Sequence, residues 1–381
     1  MNYTSLPFDA ETMVTGLRSW IECESPTYDA AAVNRMMDIA AYELASLGAV
    51  VERIPSRRRT GYPLLGDCVR ATLPHPKLGQ PGILIAGHLD TVHPIGTLEQ
   101  LPFRREGNRC WGPGIQDMKS GNYLSLEALR QLQQAGLETP LPVTVLFTPD
   151  EEIGTPVARE LIEATARKNR YVLVPEPARP DGGVVWGRYA IARYNLETAG
   201  VPIHAGVDPR LGQSAVKEMA RRLIEIEDMT TDDCTFSVSV IQGGEWVNCV
   251  PSSCQAQALS MAKKQTDLDD GVSKMLALND DSGEVKFHVS RGVTRPVWEP
   301  NEGDKALFEH TRTLAGELGI DLTAEMAGGG SDGNFTGAMG IPTLDSLGAR
   351  GAGLHTLNEH IEIDSLVERG KLMAGLLSTL D

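Results

Sequence analysis

A chain of 381 residues is too long for one ordinary hydrophobic core, so about two domains are expected, each able to bury a sizeable interior. Its 35 Lys+Arg against 51 Asp+Glu give a formal charge of -16, which argues against nucleic acid or anionic membrane as a partner, since both call for a basic face. The start "MNYTSLPFDAET" lacks the charged and apolar regions of a secretory signal, and no apolar run approaches the ~20 residues of a membrane span, so a cytoplasmic protein is expected.

Three strand-like runs dominate the first half: "GILIAGHLD" from Gly82, "LPVTVLFTPDEE" from Leu141 and "RYVLVPEPA" from Arg170. Their continuous leucine and β-branched content, without in-out alternation, is that of strands buried on both faces. Between the first two, Tyr123, Leu126, Leu129 and Leu132 recur every three residues and Gly136 can close a helix. Strand, helix, strand implies an α/β fold with a parallel-rich sheet flanked by helices. The one basic run, Ser56 to Thr60, reads as a solvated loop, and the six cysteines lack CxxC spacing and read as free thiols.

Around Gly187 the texture changes. "YAIARYNLE" alternates apolar and polar residues, as a sheet with one wet face does. A helix ("QSAVKEMARRLIEIEDM"), two more alternating segments, a second helix near "DGVSKMLALND" and "EVKFHVS" follow, giving the β-α-β-β-α-β order of a ferredoxin-like unit. After Pro296 the α/β pattern resumes, with a helix through "DKALFEHTRTLAGELG", an apolar run at "IPTLDSLG" and a last helix near "SLVERGKLMAGLL". The expected organisation is one catalytic domain in two segments, 1–187 and 297–381, with an α+β domain inserted at 188–296.

In open parallel sheets, ligands bind beyond the carboxyl ends of the strands. Three predicted strands deliver His88 and Asp90, then Asp150, Glu151 and Glu152, then Glu176 to that edge, while Asp117 precedes a helix and His355 sits in a Gly-rich loop. Singly, each has a dull explanation as a cap or a hydrogen-bonded structural residue. Jointly, so many carboxylates at one edge would repel unless divalent cations neutralised them. An aspartate shared between two ions, with two histidines and two further carboxylates, makes a two-metal hydrolytic site. Asp90 then suits the task of accepting the second ring N–H of His88. Of the doublet Glu151-Glu152, one carboxylate can bind metal and the other can act as general base on water.

The segments "GHLDTV", "WGPGIQDMKSG", "TPDEEIGT", "EP", "IHAGVDPRLGQSA" and "GARGAGLHTLNEH" resemble, in order and spacing, those of the M20 metallopeptidase family, and most of all its glutamate carboxypeptidase branch. The resemblance implies that His88, Asp117 and Glu176 hold one metal ion and Asp117, Glu152 and His355 the other, zinc being the first expectation and cobalt or manganese the alternatives. It implies Glu151 as base, a cis peptide after Asp117, and an inserted domain that serves as lid and homodimer contact, with His204 steadying the oxyanion in the partner's site. Asn248 and Arg295 match residues that bind a substrate carboxylate, and Gly329 and Ser331 lie in the matching glycine-rich loop.

Some positions depart from the family pattern. Ser120 replaces a common glycine in "DMKSG", and "GQSA" replaces the usual ending after the lid histidine. His93 and His360 lie near the site in sequence and read as specificity or supporting residues rather than extra ligands. The expected activity is hydrolysis of an amide bond beside a free carboxylate, in a small acylated amino acid or short peptide. A deacylase or dipeptidase of different side-chain preference is the alternative, and a non-catalytic homologue is disfavoured because the base and all five ligand positions are present.

Overall fold

The computed structural model describes residues 2–381, and their contacts divide the chain into two compact units. The larger comprises Met1–Gly187, Glu299–Ala327 and Ser331–Asp381, and the smaller Arg188–Trp298 with Gly328–Gly330.

The larger unit is built on a six-stranded sheet whose spatial order is Val50–Ile54, Cys68–Thr72, Val143–Thr148, Gly82–His88, Asn169–Leu173, Thr343–Leu344. The last four run parallel to one another. Gly82–His88 is buried at every position, which is why its sequence shows no alternation. Two antiparallel strands that the periodicity does not reveal complete one edge. In Val50–Ile54 no residue is fully buried, and its apolar residues are broken by Arg53 and by Glu52, which pairs with Arg70 on the neighbouring strand. The run "IPTLDSLG" yields only the two-residue strand Thr343–Leu344, because Ser346 takes the left-handed backbone at φ 62°.

Helices Ser120–Gln134 and Ile363–Thr379 pack on each other, and Ala10–Glu22 packs on both. The Ala10–Glu22 helix and Ala30–Ser46 are two elements that the motif reading left unassigned, although each starts at an aspartate that caps it: Asp9 accepts Thr12 N and Asp29 accepts Ala32 N. Trp20 anchors the core, fully buried and edge-on to Tyr123 and Phe147. No helix among the described residues is long and apolar enough to cross a membrane.

The smaller unit is an antiparallel sheet in the order Cys234–Gly243, Ser253–Ala262, Ala190–Ala199, Lys286–Arg295. Helices Ala215–Glu227 and Gln265–Ala277 cover it, completing the β-α-β-β-α-β order. Ala190, Ala192, Tyr194 and Leu196 face the helices, so the alternation in "YAIARYNLE" is the signature of a half-buried strand. The unit closes at Trp298, whose backbone exchanges two 2.9 Å hydrogen bonds with Arg188.

Candidate active site

The three central parallel strands end at one edge, with His88 opposite Thr148 and Ile85 opposite Leu173. The segments leaving them therefore carry His88, the Glu151-Glu152 pair and Glu176 to the same place. Asp117 reaches it from a tight turn, Ile115–Lys119, whose Asp117-Met118 peptide is cis. His355 comes from a loop in which it holds the left-handed conformation, φ 60°.

Asp117 lies between the two imidazoles. Its Oδ1 is 3.1 Å from His88 Nε2 and its Oδ2 is 3.1 Å from His355 Nε2. Glu152 Oε2 stands 3.3 Å from His355 Nε2, Glu176 Oε1 3.7 Å from His88 Nε2, and Glu151 Oε2 4.0 Å from His88 Nε2. Donor atoms of His88, Asp117 and Glu152 lie within 4.8 Å of one another, as do those of His88, Glu151 and Glu176. Of the doublet, Glu152 makes the closer approach to an imidazole and Glu151 the looser one.

The electrostatics are those of a cation site. Burial works against a charged His88, yet its bonds to Asp117 and Asp90 and the nearby Glu176 raise its pKa well above the ordinary histidine value. Hydrogen bonds to Asp117 and Glu152 push His355 up to about 10. Burial, then the charge of Asp117, pushes Glu152 up to about 8 and Glu176 well above the carboxylate range. Despite its burial, Asp117 is held below that range by the two histidines. Carboxylates that retain protons beside imidazoles that gain them are crowded donors in want of positive charge. Nitrogen and oxygen donors with one carboxylate shared between two histidines fit two divalent cations.

Two further acidic side chains also serve backbone groups. The nearer acceptor for His88 Nδ1 is the Asp90 backbone carbonyl, at 2.9 Å, whereas the Asp90 carboxylate is 3.4 Å away. The same carboxylate serves three other donors: its Oδ1 accepts Glu151 N at 3.2 Å, and its Oδ2 accepts Glu152 N at 3.3 Å and Thr27 Oγ1 at 2.8 Å. Asp150 turns into its own loop, where Oδ2 accepts Val157 N and Ala158 N at 2.6 and 3.2 Å.

Peptidase family M20/M25/M40 matches residues 84–379, most of the chain. The chain belongs to that family. It is a metal-dependent hydrolase. It is 29% identical over 381 residues to carboxypeptidase G2 of Pseudomonas sp. (strain RS-16), covering 97% of this chain and 89% of the relative. A succinyl-diaminopimelate desuccinylase of Verminephrobacter eiseniae (strain EF01-2) is 28% identical over 356 residues, 85% of this chain and 86% of the relative. The crystal structure of an M20 family metallo-carboxypeptidase from Sulfolobus solfataricus shares the fold, with a TM-score of 0.72 at 16% identity, over 96% of this chain and 98% of the other.

Within this M20 chain, the remaining candidate residues divide between the two units. In the smaller, His204 and Asn248 are exposed neighbours on paired segments, where Ala205 N donates to Asn248 O at 2.9 Å and His204 Nδ1 accepts Gly206 N at 3.0 Å. Arg295 is buried at the end of its strand, and a Cβ on Gly330 would come within 2.6 Å of its Cδ. Gly329 accepts a hydrogen bond from Arg188 Nη1 at 2.8 Å. In the larger unit the Ser331 hydroxyl is buried, donating to Asp345 and accepting Gly333 N. Motif reading passed over Glu359, which is fully buried and bonds His93, although its place four residues after His355 could have drawn notice.

Proposed function

We propose that this enzyme hydrolyses an amide bond adjacent to a free carboxylate, in an N-acyl amino acid or a short peptide with an acidic end. The arrangement of Asp117 between His88 and His355, with the Glu151 carboxylate alongside, is the observation that carries this reading. His88, Asp117 and Glu176 would hold one divalent cation, and Asp117, Glu152 and His355 the other. When bound, such ions lower the pKa of water to about 7 and polarise a carbonyl. Glu151 then takes the proton of the attacking water on its carboxylate and returns it to the departing nitrogen. Asp90 keeps the backbone of the Glu151-Glu152 pair in place through its two oxygens.

Zinc is the assigned ion. His204 is assigned to the developing oxyanion in the site of a second copy, with the inserted unit as lid and dimer contact. Arg295 and Asn248, with Gly329 and Ser331, are assigned to the substrate's carboxylate end. The likeness to carboxypeptidase G2 and to a desuccinylase supports an amide adjoining an acid, and either partner of that amide can carry it. The test is a panel of N-acyl amino acids and dipeptides offered to the metal-loaded protein. Turnover restricted to substrates with a free carboxylate beside the scissile amide is expected. Equal turnover of carboxamide analogues would move the assignment to a general deacylase or dipeptidase.

A further inference from the structure

One buried carboxylate joins the three loops that carry His88, Asp117 and His355. Glu359 precedes the short strand His360–Glu362 and is inaccessible to solvent. Its Oε2 accepts His93 Nε2 at 2.6 Å and Gly114 N at 2.9 Å. Its Oε1 accepts Gln116 N at 2.8 Å and Asp117 N at 3.0 Å. An ionised carboxylate offers about four lone-pair sites, and here each oxygen serves two donors.

The chain needs an acceptor at this place. Gly114 takes the left-handed backbone, φ 70°, and Asp117 departs from helical geometry, so the N–H groups of the turn converge inward instead of continuing a helix ladder. Left without a partner in a buried turn, they would carry the full desolvation penalty. Glu359 satisfies three of them, and one belongs to Asp117 itself. The direction of the Asp117 side chain follows from its backbone, and Glu359 holds that backbone. His93, six-hundredths exposed and five residues beyond His88, pins the other side of the carboxylate.

We propose that Glu359, braced by His93, is the positioning residue that orients Asp117 between His88 and His355 and so sets the spacing of the two cation sites. The proposal rests on the two-metal reading above. Glu359 touches no substrate; it acts through Asp117. Groups that hold metal ligands in orientation typically change metal affinity by about 10–100-fold when altered.

Glu359→Gln keeps the size of the side chain but replaces an acceptor oxygen with an NH2 group, so in either orientation at least one backbone N–H faces a donor. His93→Gln removes the imidazole and leaves the three backbone bonds to Glu359. Metal-free wild type and both variants are titrated with cobalt(II), following visible absorption, and their apo forms are compared by circular dichroism and thermal melting. Expected are two cobalt ions in the wild type, a loss of about 10–100-fold in affinity for at least one of them with an altered spectrum in Glu359→Gln, and a smaller loss in His93→Gln. A merely structural role would lower melting temperature and leave the affinity and spectrum of the folded protein alone, and that result overturns the proposal. If Glu359→Gln does not fold, His93→Gln decides by the same criterion. A wild type that binds fewer than two cobalt ions overturns the two-metal reading, and this proposal with it, before any variant is compared.

Discussion

The Asp90 carboxylate, fully buried, accepts the backbone N–H of Glu151 at 3.2 Å, so the residue two places after His88 holds the segment that leaves a neighbouring strand. Its second oxygen does the same for Glu152. Asp90→Asn should leave one of these amides facing an NH2 group, an unsatisfied buried donor that costs about 1–3 kcal/mol. The expected result is a lower melting temperature and a lower kcat with both metals still bound by elemental analysis. Unchanged kcat in a folded Asp90→Asn protein would remove Asp90 from the positioning of Glu151.

Glu151 and Glu152 should part company on truncation. Glu152 stands 3.3 Å from His355 Nε2 and Glu151 4.0 Å from His88 Nε2, which suits ligand and base respectively. Glu152→Ala should reduce metal occupancy. Glu151→Ala should keep two metals and lose the ~10²–10⁴-fold that a positioned acid/base supplies. Elemental analysis beside kcat checks this, and the reverse pattern would exchange their roles.

What could be read from the sequence followed from periodicity and from strand ends. Gly82–His88 is buried throughout and its composition says so, and the parallel order then brings His88, Glu152 and Glu176 to one edge. The antiparallel edge is harder to read because Val50–Ile54 is short and its apolar residues are interrupted by Glu52 and Arg53. Asp90 and Glu359 were harder for another reason. Most of their partners are backbone N–H groups, which every residue but proline has, so residue type says little about the recipient. Spacing places Asp90 beside His88, and both of its acceptors lie against the ring, the carbonyl at 2.9 Å and the carboxylate at 3.4 Å.

Metal uptake should release protons and strengthen with pH. In the metal-free protein His355, raised to about 10, and His88, raised well above its ordinary value, are cations at neutral pH, while Glu152, raised to about 8, holds a proton. A cation takes these donors only as neutral imidazole and ionised carboxylate. Affinity should therefore fall as pH is lowered below about 10, where His355 takes its proton, and more steeply below about 8, where Glu152 does, by about tenfold per pH unit for each proton displaced. Calorimetry in buffers of different ionisation enthalpy counts the protons, and chelation should abolish hydrolysis until zinc or cobalt is restored. Full hydrolysis by protein shown to be metal-free would end the metal reading.

Gly121 should tolerate no side chain. A Cβ there would lie 1.8 Å from the carbonyl oxygen of Pro175, the residue before Glu176, so either the helix Ser120–Gln134 or the Pro175-Glu176 segment must move. Gly121→Ala should cost about 1–3 kcal/mol as overpacking does. It should also weaken metal binding, because Glu176 moves with its neighbour. A melting curve and a cobalt titration identical to wild type would show that the contact relaxes freely.

Arg295 should set the requirement for a substrate carboxylate. The chain is strongly acidic, so an anionic substrate needs a local cation, and the guanidinium of Arg295, at the end of its strand beside Gly330, can meet a carboxylate with two parallel charge-assisted hydrogen bonds. Lysine offers only a point charge. Arg295→Ala should lower kcat/KM for a free-acid substrate by the equivalent of about 2–5 kcal/mol, chiefly through KM, and Arg295→Lys should recover part of it. Amidating the substrate's carboxylate should harm the wild type severely and the alanine variant little. If amidation costs both proteins the same, Arg295 does not meet that carboxylate, and the acid-directed reading gives way to hydrolysis of acyl amides without regard to a neighbouring charge.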